Sequence, residues 1–253
     1  MRKSVPFDCR RVALWLVFIA GSLASTATAQ LPATRLFAVF PPGGQAGATV
    51  DVAITNGQEL EEIQRLLFSH PGITAVPKTT EVAGKQQPVA NQFVVKIAGD
   101  VPAGNYEVRA VGFFGISNPR TFVVGSRKEL NETEPNNTRE TAQAAEINIT
   151  INGRMNGATD VDWFKFAGKA GQRVLADCLA RRLDSKLDAN LELYDPSGRR
   201  LATARNSLVN KDALIDVTPF VDSAAPGGLH AAWLGFDAIS SSSLGGDPDA
   251  SCR

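Results

Sequence analysis

Histidine is almost absent from this chain: His70 and His230 are the only two. Imidazole carries most triad, general acid–base and zinc chemistry near neutral pH, so those mechanisms have little to work with here. Methionine is as scarce, with 2 residues, and cysteine numbers 3. A basic excess is also lacking, since 26 Lys+Arg face 26 Asp+Glu and the sequence pI is about 6.7. That balance argues against a nucleic-acid binder, which must neutralise phosphates. What is present is ordinary globular composition, 43% hydrophobic and 21% charged, with 22 Gly and 14 Pro marking a turn-rich chain. A length of 253 residues accommodates one large domain or two small ones.

The first thirty residues read as an export address. Arg2, Lys3, Arg10 and Arg11 form a basic start, Val12 to Ala24 is apolar, and Ala27-Thr28-Ala29 supplies a small-x-small cleavage site. Residues 1–29 are therefore expected to leave as a signal peptide, with Gln30 as the new N-terminus. The apolar run is too short to span a bilayer comfortably, and no later run reaches membrane length, so no membrane span is expected after cleavage. The expected location is periplasmic or extracellular. Cys9 departs with the leader, leaving Cys178 in an expected buried strand and Cys252 near the end.

Residues 30–125 alternate between short β patterns and turn signals. Arg35–Phe40, Thr49–Thr55, 64–69, 72–76, Gln92–Ile97, 104–111 and 120–124 read as strands, with a turn at Asn56-Gly57 and a polar loop over 84–91. Short strands at such spacing argue for a sandwich. The stretch Pro41-Pro42-Gly43-Gly44-Gln45-Ala46-Gly47 before TVDVAITN, and Val101-Pro102-Ala103-Gly104-Asn105-Tyr106-Glu107 before Gly115-Ile116-Ser117-Asn118, resemble bacterial Ig-like modules of the IPT/TIG kind. The resemblance implies a spacer or binding module. His70, before Pro71-Gly72, reads as a loop histidine.

Residues 126–131 (SRKELN) read as a polar linker. Beyond them come Glu132-Thr133-Glu134-Pro135-Asn136-Asn137-Thr138, an Ala-rich segment, Ile151-Asn152-Gly153-Arg154-Met155, Asp160-Val161-Asp162-Trp163-Phe164-Lys165-Phe166, and Leu191-Glu192-Leu193-Tyr194-Asp195-Pro196-Ser197-Gly198. In this order they resemble the bacterial pre-peptidase C-terminal (PPC) domain, itself similar to the collagen-binding domains of secreted collagenases. The resemblance implies a jelly-roll-like β-sandwich that is not catalytic. By period 2, Trp163 lies on the face opposite Phe164 and Phe166, and Tyr194 to Gly198 reads as a hairpin turn.

Glu132, Glu134, Asn136, Asn137, Asp160 and Asp162 concentrate oxygen donors without sulfur or imidazole, which suits Ca²⁺. The resemblance to the collagenase domains implies these six as calcium ligands, Asn137 replacing a stronger Asp. The same residues also read as turn and capping chemistry, and the charge of nearby Arg139 would oppose a cation. Asp160 and Asp162 could in principle be an acid–base pair, but no aromatic-lined sugar cleft is apparent in the sequence.

From residue 223 onward the β alternation is lost in a Ser-, Gly- and Ala-rich stretch containing Trp233, Leu234 and Phe236. The expected architecture is all-β: an Ig-like sandwich over 30–125, an incomplete PPC-like sandwich over 132–222, and an aberrant or disordered tail over 223–253 whose removal costs little. The functional expectation is a non-catalytic exported protein that binds an extracellular protein or polysaccharide, or serves the secretion or maturation of such a partner. The alternative is the N-terminal piece of a larger secreted peptidase or other exported enzyme.

Overall fold

The computed structural model describes residues 31–157, 160–169, 171–205, 212–218, 229–238 and 251–252; the expected signal peptide lies outside them. The described chain is all-β apart from one 3-10 turn at Arg181–Leu183. No helix among the described residues is long and apolar enough to cross a membrane.

The first sandwich holds β1 (Arg35–Phe40), β2 (Gly43–Gln45), β3 (Thr49–Gln58), β4 (Arg65–Phe68), β5 (Ile73–Val82), β6 (Lys85–Ile97), β7 (Gly104–Gly112), β8 (Gly115–Ile116) and β9 (Arg120–Gly125). One sheet runs β1-β3-β6-β5 and the other β2-β9-β7-β4, with β8 hydrogen-bonded to β7. Alternate residues such as Val52, Phe93, Val95, Val108 and Phe122 meet in a shared apolar core. Two local readings change. The 84–91 segment is not a loop, because β5 and β6 continue as a hairpin closed at Ala83 (φ 51) and Gly84 (φ 75), with Val82 opposite Lys85. Most of its residues are exposed, with only Val89 and Asn91 part-buried, so no apolar alternation marks it. Asn56-Gly57 is not a turn but part of β3, where a Cβ on Gly57 would sit 2.3 Å from the Arg35 carbonyl oxygen. His70 does occupy a loop, where its Nδ1 accepts the Gly72 N–H at 3.0 Å.

The second half holds β10 (Glu129–Asn131), β11 (Gln143–Ala144), β12 (Thr150–Arg154), β13 (Val161–Lys169), β14 (Val174–Asp177), β15 (Ala189–Tyr194), β16 (Arg200–Arg205), β17 (Leu214–Val217), β18 (Leu229–Ala238) and β19 (Ser251–Cys252). A five-stranded sheet runs β11-β13-β18-β15-β16, beside the pair β14-β17 and the short sheet β10-β12-β19. Leu191, Leu193, Ile215 and Ala213 form a core separate from the first, with Leu234 packed against it. Cys178 is buried in this core as a free thiol. Asp195 closes the β15–β16 hairpin, its Oδ1 accepting the N–H groups of Ser197 (2.9 Å) and Arg199 (3.0 Å).

The tail reading is overturned for the described part of 223–253. Leu229–Ala238 is the middle strand of the five, paired with β13 from Val161↔Asp237 to Lys169↔Leu229 and with β15 from Ala189↔Ala238 to Tyr194↔Trp233. LHAAWLGFDA carries small and apolar residues at both parities, so no period-2 alternation marks it in the sequence. The linker reading is narrowed as well: Glu129–Asn131 pairs in parallel with Thr150–Asn152, leaving only residues 126–128 outside a strand.

Both sandwiches belong to one unit, Ala33–Arg253. Asp184, at the end of the 3-10 turn with φ 65, reaches the first sandwich. Its Oδ2 accepts the Thr121 N–H (2.9 Å) and hydroxyl (2.8 Å), and its carbonyl accepts Arg120 Nη2 at 2.5 Å. The Arg154 guanidinium lies over the Phe40 ring, 4.6 Å from its centre. Replacing Asp184 with Gly keeps the positive φ and deletes only the carboxylate. That variant should be cut several-fold faster within 126–128 in limited proteolysis, since hydrogen bonds to a charged group contribute roughly 1.5–3 kcal/mol. An unchanged cleavage rate would show that Asp184 does not hold the joint.

Candidate metal centre

The acidic cluster is assembled from three segments. Glu132 extends the β10–β12 pairing, its N–H bonded to the Asn152 carbonyl at 2.9 Å. Asp162 sits on β13 at the same parity as Phe164, so it points inward and is fully buried. Asn136 is also fully buried, its carbonyl accepting the Trp163 N–H at 2.9 Å. These backbone bonds carry the E-x-E-P-N-N segment across the start of β13. Carboxylate oxygens of Glu134, Asp160 and Asp162 then lie within 4.8 Å of one another.

Glycine at 153 permits the approach. A Cβ there would stand 2.8 Å from Glu132 Oε2 and 3.8 Å from Asp162 Oδ2. Asn156 supports the rim, its N–H donating to Asp160 Oδ2 (2.5 Å) and its side chain to Glu134 Oε1 (2.8 Å). The Arg154 N–H donates to Glu132 Oε1 at 2.5 Å. Glu134, Asn137, Asn156, Gly157 and Asp160 line an open depression of about 330 Å³ beside the buried groups.

The buried part of the cluster is short of positive charge. Burial pushes Asp162 up to about 8, with Glu132, Asp160 and Glu134 adding repulsion. Burial likewise raises Glu132 to about 7, against the opposing Arg154 N–H. Among the described residues, Glu132 Oε2 and Asp162 Oδ2 are buried without a hydrogen-bond partner. The Asn136 side-chain NH₂ donates to Asp162 Oδ1 (3.1 Å) and Glu134 Oε2 (2.9 Å). Orphaned buried oxygens and an all-oxygen donor set fit a hard divalent cation such as Ca²⁺.

Of the six residues singled out in the sequence, Glu134, Asp160 and Asp162 converge directly. Asn136 bridges two of them, Glu132 joins through the gap at Gly153, and Asn137 is exposed at the mouth. Arg139 lies over the Tyr194 ring, 6.0 Å from its centre. Sequence reasoning missed Asn156, whose signal was the Asn156-Gly157 dipeptide just after the I-x-G-x-M landmark.

No protein-family model matches the chain, and no curated protein does. Among solved structures it is similar to SGBP-B of the Bacteroides ovatus mixed-linkage glucan utilization locus, in complex with a mixed-linkage heptasaccharide (11% identity, 81% of this chain and 73% of that one, TM-score 0.25). A second is SGBP-B from a complex xyloglucan utilization locus in Bacteroides uniformis (11%, 82% and 71%, TM-score 0.24). A third is the FN1-FN3 domains of chicken CNTN1 (10%, 81% and 60%, TM-score 0.19). At such TM-scores these likenesses carry no argument about the site.

Proposed function

We propose that this chain is an exported, non-catalytic binding protein, an Ig-like sandwich followed by a PPC-like sandwich that holds calcium at its entry segment and engages an extracellular partner. The observation that supports it best is the convergence of the landmark residues. Glu134 of the E-x-E-P-N-N segment and the Asp160/Asp162 pair, well separated in sequence, bring their carboxylates within 4.8 Å. Glu134, Asp160, Asp162 and Asn136 would hold the ion, with Glu132 behind them. A bound cation neutralises the buried carboxylates and pins the entry segment to β13, a structural and not a chemical contribution.

Calcium affinity is expected at about 10⁻⁴–10⁻³ M, as for extracellular modules. At ten to a hundred times Kd the ion then adds roughly 1.4–2.7 kcal/mol to the folded state. Glu134 is exposed, so Glu134→Ala should cost little without calcium yet remove that increment. Thermal unfolding with 10 mM calcium against chelator checks it, and a wild-type Tm unmoved by calcium would leave only turn chemistry.

A further inference from the structure

The outer face of the five-stranded sheet carries an aromatic pair. Asn190, Glu192 and Tyr194 alternate with core residues Leu191 and Leu193, and Trp163 alternates with Asp162 and Phe164, so the four share the outer face, Asn190 buried within it and the others part-exposed. Register places Gly235 of β18 between Trp163 and Glu192. With no side chain there, Trp163 and Tyr194 meet diagonally across β18, ring centres 5.3 Å apart and planes tilted by 46°. Both rings are part-exposed.

Polar groups surround the pair. The Tyr194 hydroxyl donates to Glu192 Oε2 at 2.5 Å, and Arg200 Nη1 donates to Glu192 Oε1 at 2.8 Å. The Arg139 guanidinium sits 6.0 Å from the Tyr194 ring centre. Arg205 Nε donates to Asn190 Oδ1 at 3.4 Å. Neither Arg139 nor Arg205 forms a salt bridge among the described residues, and Glu140 lies within electrostatic range of Arg139.

We infer that this face binds an acidic polysaccharide, a polyuronate-type chain; the inference rests on the binding-protein reading above and names its ligand class. Ring faces stack on the C–H faces of sugars, as they do on any flat apolar surface. Arg139 and Arg205, outside any salt bridge among the described residues, fit carboxylates, which guanidinia hold bidentately. The central Glu192 accepts from sugar hydroxyls. That carboxylate also distinguishes the face from a single-stranded nucleic-acid platform, where aromatics alternate with unbroken positive charge.

Native affinity electrophoresis through gels containing sodium polygalacturonate, sodium alginate or a neutral β-glucan, without added calcium, tests it. A parallel titration uses fluorescent single-stranded DNA. The expected result is retardation by at least one polyuronate that weakens with salt and falls about tenfold or more in Trp163→Ala and in Arg139→Gln. Arg139 is exposed, so that variant keeps the fold if the tryptophan variant does not. Equal retardation by the neutral glucan, binding of DNA in place of polyuronate, or wild-type retardation of Arg139→Gln would overturn the assignment. No retardation with the polymer intact sinks this ligand class alone. Shortening of the polyuronate, read by size exclusion, would instead sink the non-catalytic reading.

Discussion

Truncation before Leu229 should unfold the second sandwich and leave the first one folded. β18 lies between β13 and β15, so its loss strips the ladder from both neighbours along their length. Leu234, in register with Phe164 on one side and Leu193 on the other, packs against the second core. Removing the strand opens that core to water, and each Leu or Phe side chain exposed costs about 1.5–3 kcal/mol. A small domain has only about 5–15 kcal/mol of net stability, so a few such exposures exceed what the second core can lose. The first sandwich has its own core and closes its two sheets with β1 to β9. Calorimetry of the truncated protein should therefore retain one cooperative transition and lose the other, with the Trp163 near-UV signal collapsing. Retention of both transitions would show that β18 is dispensable, as the composition of the segment alone suggested.

Asp162→Asn should have opposite effects in chelator and in calcium. The folded Asp162 carboxyl is raised to about 8 and that of Glu132 to about 7, against ordinary values near 4. A group raised in the folded state contributes stability that is fully present below its unfolded pKa and is lost as pH rises through the folded one. In chelator the wild-type protein should thus lose stability from about pH 4 to pH 8, between the unfolded and folded values, and level off above, as both buried carboxylates are forced to ionise. The Asn variant keeps the shape without the charge, so its decline should be shallower, and it should melt above wild type at pH 9. On the calcium reading proposed above, the order should reverse in calcium: the ionised wild-type site should gain the roughly 1.4–2.7 kcal/mol of bound ion and the variant none. Melting curves at pH 5, 7 and 9, with calcium and with chelator, check both halves. Parallel pH profiles for the two proteins in chelator would mean that Asp162 is not held protonated by burial.

Much of the first sandwich was legible because its strands are half-buried: Val52/Ile54 and Val108/Ala110 put apolar residues on one parity and exposed ones on the other. The β5–β6 extension was not, since a hairpin with both faces in water has no burial period. At the acidic site, the oxygen-only donor pattern pointed to Glu132, Glu134, Asn136, Asn137, Asp160 and Asp162, and the structure brings carboxylate oxygens of Glu134, Asp160 and Asp162 within 4.8 Å. Asn156 and the gap at Gly153 escaped because their roles depend on which strand lies alongside.

By itself, then, the order of residues determined the all-β class, the two runs of strands, the hairpin at Asp195–Gly198 and the donor chemistry of the acidic segment, all of which are local. Only the tertiary structure decided that Leu229–Ala238 is a central strand, that Asp184 ties the two halves, and that Trp163 meets Tyr194 across Gly235. Each of these depends on pairing between segments remote in sequence. Strand pairing runs through backbone N–H and C=O groups, which every non-proline residue carries alike and which therefore leave no mark on composition.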